Sequence, residues 1–107
     1  MVKTRQEIEV IINKYRDALE ALGIRPEKII LYGSYAKGTA REDSDIDLII
    51  VSPDFSGKDL RERLEILGIA AARIMEPIQA QGFTHQEIDP EKRSSFIEEV
   101  LEYGEAA

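Results

Sequence analysis

The hydrophobic positions of this chain follow two rhythms. Ile8, Ile11, Ile12, Tyr15, Leu19 and Leu22 recur at helical spacing. Thr4 and Glu7 form a capping-box pattern ahead of them and Gly23 stops the run, so the pattern predicts an amphipathic helix over 4–22 with Tyr15 in its core stripe. A turn at 24–27 carries Pro26, and the rhythm then changes. Ile29–Tyr32 and Leu48–Val51 are continuous apolar runs, as expected of strands covered on both faces. Pro53 and Gly57 mark a loop over 52–57. A second long helix is predicted over 58–74, with Leu60, Leu64, Leu67, Ala71 and Ile74 as its buried stripe. Gly68 and Ala70–Ala72 would let it pack closely, and Arg61, Glu62, Arg63, Glu65 and Arg73 read as its solvated face. Residues 75–83 read as a third strand, confined by Pro77 to an edge or to a strand start. Thr84 and Glu87 form another capping pattern, with His85 as an exposed turn residue. Asp89–Pro90 reads as the start of a short C-terminal helix with the stripe Phe96, Ile97, Val100 and Leu101, ended by Tyr103–Gly104 and followed by a frayed tail. The fold class is α/β: a small mixed sheet of three strands or slightly more, backed by two long helices plus the short C-terminal one, in a single domain over 1–107.

The polar stretch between the first two strands carries the chemistry. Gly33 and Ser34 end the first strand abruptly. Ser34 is a good helix N-cap, and Tyr35–Lys37 could make one helical turn closed by Gly38. Backbone N–H groups at such a turn suit an anion, most often a phosphate. Asp45 and Asp47 are two residues apart, so on a strand both face the same side. Two like charges held side by side repel, and a shared divalent cation is the simplest reason to keep them together. Lys37 and Arg41 lie in the crossing, where they either touch a triphosphate or stand as solvated cations. Ser44 can hold the start of the second strand by a local hydrogen bond.

The stretch GSYAKGTAREDSDIDL, from Gly33 to Leu48, resembles the Gly-Ser turn followed by D-x-D of the DNA polymerase beta-like nucleotidyltransferase superfamily, in its minimal MNT-type form. The resemblance implies a nucleotidyltransferase fold and transfer of a nucleoside monophosphate, AMP from ATP, to a hydroxyl. It implies Asp45 and Asp47 as catalytic metal ligands for two Mg²⁺ ions about 3.5–4 Å apart. Gly33, Ser34, Lys37, Arg41 and Ser44 would be the nucleotide-binding residues. It also implies a third acid on a neighbouring strand, for which Glu76 is the candidate and Glu87 the competitor. The implied partner is a HEPN-domain toxin, adenylylated on a tyrosine by a transferase acting as antitoxin. Two other readings stand beside this one: a non-catalytic antitoxin that blocks its partner, and a transferase for a small molecule such as an aminoglycoside. A chain of this size has to draw its acceptor surface from a partner or from a homo-oligomer.

Composition narrows the chemistry further. The 107 residues contain no cysteine and one histidine, His85, which excludes thiolate catalysis and Cys- or His-cluster metal sites. Net charge is −7 with no basic run, which argues against a grip on long nucleic acid and is compatible with a metal-neutralised nucleotide or a cationic protein partner. No apolar run reaches about 18 residues, so no membrane span is expected. The N-terminus lacks a signal-peptide core, and a cytoplasmic location follows by default.

Overall fold

The computed structural model describes residues 2–89, 91 and 95–106, and their side chains except those of residues 99, 102, 103 and 105. Helix α1 spans Arg5–Ala21, and strand β1 spans Lys28–Tyr32. Then come the one-turn helix α2 (Ser34–Lys37) and strand β2 (Ile46–Val51). A 3-10 turn at Pro53–Phe55 leads to α3 (Leu60–Ile74), β3 (Ile78–Phe83), α4 (Ser95–Tyr103) and β4 (Glu105–Ala106). The sheet order is β3-β2-β1-β4. β1 runs antiparallel to β2 and to β4, and β3 runs parallel to β2 on the sheet's edge, so the sheet is mixed as predicted. The tail is not frayed: Glu105 and Ala106 pair with Leu31 and Ile30.

Strand alternation sends side chains to two different environments. Ile29, Leu31, Ile46, Leu48 and Ile50 point into a core shared with α1 and α3, flanked by Ile78 and Ala80. Tyr15 sits in that core, fully buried, and its hydroxyl donates to the Leu67 carbonyl at 2.9 Å. Burial pushes its pKa up. On the opposite face Ile30, Ile49 and Val51 pack with Val100 of α4, bordered by Tyr32, Phe83, Ile88 and Leu101. That second core covers only part of its face, and the end that carries Asp47 lies outside it.

The predicted Thr4–Glu7 capping box is complete, and Asp59 with Glu62, a pair not singled out in the sequence, forms a second one. The stripe of α3 is shifted from the prediction: Leu67, Ala70 and Ala71 are buried, whereas Leu60 is 69% and Leu64 46% exposed. Leu60 and Leu64 instead border an open groove beside the edge strand, with Gln79, Ala80 and Gln81 on its other wall. Arg63, assigned by the pattern to the solvated face, is instead pinned down. Its guanidinium donates to the carbonyls of Lys58, Phe55 and Gly82 and to Glu87, and it lies 5.7 Å from the centroid of the Phe55 ring. Phe55 fits there because Gly82 has no side chain; a Cβ would stand 2.5 Å from the ring. At the C-terminal end the helix begins at Ser95 rather than at Asp89, whose carboxylate instead accepts from the Glu91 N–H. Pro90 lies outside the described residues.

Candidate active site

The site forms where β1 ends and β2 begins. Gly33, not Ser34, is the N-cap of α2; Ser34 is its first helical residue. Gly33 has φ 74° and ψ −151°, a conformation essentially closed to residues with a Cβ. Its backbone lies against the Asp47 carboxylate: a Cβ there would stand 2.2 Å from Asp47 Oδ2. The turn and the acid are thus in direct contact, and the missing side chain is what allows it. The first N–H groups of a helix have no acceptor within the helix, and no side chain caps them here. Gly38 closes the turn in the left-handed conformation, its N–H donating to the Ser34 carbonyl.

Asp47 is the second residue of β2 and is half-buried, while Asp45 precedes the strand and is exposed. Burial, and then the Asp45 charge, hold the Asp47 carboxyl above the usual carboxylate range. Directly across the sheet, Asp47 pairs with Tyr32 on β1 and with Gln79 on β3. Tyr32 is pushed up by burial and then by Asp47, with a hydrogen bond from Gln81 acting the other way. Its ring meets Phe96 of α4 edge-on, centroids 5.8 Å apart. Gly33, Asp45, Asp47, Tyr32, Gln79 and Gln81 therefore share one open end of the sheet.

Other sequence candidates are placed differently. Ser44 Oγ accepts from the Arg41 N–H at 2.7 Å, and the Ser44 N–H donates back to the Arg41 carbonyl, so Ser44 staples the turn that delivers Asp45. Lys37 and Arg41 are exposed around this turn. Glu76 does not join the aspartates. It borders a hollow on the other side of the sheet with Thr4, Glu7, Val10 and Ile11 of the α1 region. Among the described residues no three acids or histidines gather closely enough to hold a metal ion. The physical reason is that Glu76 precedes β3: its N–H still donates to the Ala71 carbonyl at the end of α3 and a tight turn over Pro77 separates it from the strand, in which Ile78 and Ala80 face the helical core and Gln79 and Gln81 face the Asp47 side. Glu87 is taken by Arg63 and by the Thr84 N–H. His85 is exposed and pairs with Glu27. A cavity of about 440 Å³ between α1 and α2, walled by Ile8, Ile12, Leu31 and Tyr35, contains neither aspartate.

Sequence reasoning missed Tyr32, Gln79 and Gln81 as members of this site. Counting in twos from Pro77 would have put both glutamines on one face, but only the pairing register shows that the face is Asp47's.

The donor set fits a cation: two carboxylates repelling at the rim of a backbone turn are the oxygen ligands that a hard divalent ion takes. A glycine-serine turn abutting a D-x-D strand in a small mixed sheet defines a nucleotidyltransferase. Residues 12–105 match the nucleotidyltransferase domain family, and the chain belongs to it. Over 98 residues, 91% of this chain and 94% of the relative, it is 31% identical to a candidate protein adenylyltransferase of Methanocaldococcus jannaschii. It is 35% identical over 78 residues to the protein adenylyltransferase MntA of Thermococcus cleftensis, covering 67% of this chain and 77% of that one. A crystal structure of a toxin-antitoxin with AMP-PNP shares the fold, with a TM-score of 0.63 at 22% identity, covering 88% of this chain and 69% of that one. No helix among the described residues is long and apolar enough to cross a membrane.

Proposed function

We propose that this nucleotidyltransferase adenylylates a hydroxyl of a protein partner, a tyrosine of a HEPN-domain toxin, and so acts as an antitoxin. The contact between Gly33 and the Asp47 carboxylate carries the reading, because it sets an anion-binding turn against a cation-binding acid. Asp45 and Asp47 would hold Mg²⁺ with the triphosphate of ATP. The backbone of Gly33–Ser34 would meet the two terminal phosphates, and Lys37 and Arg41, exposed in the crossing, would pair with them. When bound, the cation would supply charge neutralisation as the acceptor hydroxyl gives its proton to water, its oxygen bonds to the α-phosphorus and pyrophosphate leaves. The chain's own contribution is positioning and electrostatics, so the single surface histidine is no obstacle. Further support is the naming of the relatives as protein adenylyltransferases and of the structural neighbour as a toxin-antitoxin with AMP-PNP.

Intact mass spectrometry of a HEPN-domain partner, after incubation with this protein, ATP and Mg²⁺, tests the proposal. A mass increase matching AMP, located on tyrosine and absent with Asp47→Asn, is the expected result. If the partner stays unmodified but is neutralised equally by wild type and Asp47→Asn, the protein acts by blocking instead.

A further inference from the structure

We propose that the acidic site takes one divalent cation with its nucleotide rather than two, because Gln79 fills the place from which a second cation would draw its carboxylate. The inference rests on the reading that Asp45 and Asp47 face a metal-bound nucleotide. Two divalent ions a few ångströms apart repel strongly, so such pairs are held only where anionic oxygens surround both. A cation on the nucleotide side borrows phosphate oxygens. One on the acceptor side, though it keeps waters, depends on the protein for its carboxylates.

The row across the sheet at this level is Tyr32, Asp47, Gln79. Adjacent strands lie about 4.8 Å apart, so the side chain of Gln79 stands beside that of Asp47 on the same face. It is exposed on the edge strand, and it ends in a neutral carboxamide. Tyr32 offers a phenol, and Gln81 is engaged with that phenol. Glu76 faces the helical side, and Glu87 is held by Arg63. Gln79, directly opposite Asp47 on the neighbouring strand, is therefore a position where a change of a single atom group would set a third carboxylate beside Asp47. The acceptor hydroxyl enters a site with a single cation.

The test counts bound Mn²⁺ by electron paramagnetic resonance, with α,β-methylene-ATP present, on the whole chain. Wild type is expected to bind one ion per chain, and Gln79→Glu, a change of nearly equal size at an exposed position, two. Gln79→Asp, read in the same way, covers the case in which the glutamate variant fails to fold by circular dichroism. Two ions in wild type, or one in a folded acidic variant, would overturn the inference. Asp47→Asn separates this from the underlying reading: ion binding unchanged by that substitution would sink the metal-nucleotide site itself, whatever the result at Gln79.

Discussion

Replacing Gly33 by Ala adds one methyl group at the point where the turn meets the acid. Two costs follow from the structure. The backbone stays at φ 74° and ψ −151°, where a residue with a Cβ is strained by about 1–3 kcal/mol. The Cβ would also stand 2.2 Å from Asp47 Oδ2 and 3.0 Å from its Cγ, so the carboxylate must swing away or the turn must move. Gly38 is the control. It also has a positive φ, 76°, but nothing lies within 4 Å of an added Cβ, so Gly38→Ala carries strain without the clash. Both variants should melt lower than wild type, at roughly 4 °C per kcal/mol for a chain of this size. They should part in nucleotide binding. Calorimetric titration with Mg²⁺ and a non-hydrolysable ATP analogue is expected to show more than tenfold weaker binding for Gly33→Ala and near wild-type affinity for Gly38→Ala. Wild-type affinity in Gly33→Ala, or an equal loss in both, would refute the idea that the turn and Asp47 act as one site.

Asp47 keeps its proton to higher pH in the folded chain than in the unfolded one, so metal-free stability should fall as pH rises through the carboxylate range. Thermal melts without metal should show Asp47→Asn more stable than wild type at neutral pH and the two converging in acid. Arg63→Ala removes a guanidinium from three partly buried backbone carbonyls and from Glu87; a loss of about 2 kcal/mol is expected in urea unfolding. Glu76→Gln should leave Mn²⁺ affinity unchanged, because Glu76 lies on the far side of the sheet from Asp47.

What was legible in the sequence was local. Gly33–Leu48 shows its turn, its crossing and its pair of acids because each depends on neighbours in the chain, and the cap at Thr4 likewise needs only three residues. What was hidden depends on pairing across the fold. Glu76 looked like the acid at the mouth of a strand, but it is still bonded to the end of α3, and β3 starts only after the turn over Pro77. The parallel register of β3 on β2 brings Gln79 beside Asp47, a glutamine that nothing in its own segment marks out. Leu60 and Leu64 fit a helical stripe, yet they border an open groove beside β3, and Arg63 finds its carbonyls on the loop before α3 and on β3. The two-residue β4 was read as fraying because so short a strand has no pattern of its own; β1 defines it.

The most direct test of the central claim is a binding titration of the ATP analogue to wild type and to Asp47→Asn, each with and without Mg²⁺. A site made of the Gly33 turn and the aspartate pair predicts binding by wild type that needs Mg²⁺ and is lost at least tenfold in the variant. Equal binding by both proteins, or binding indifferent to Mg²⁺, would contradict it.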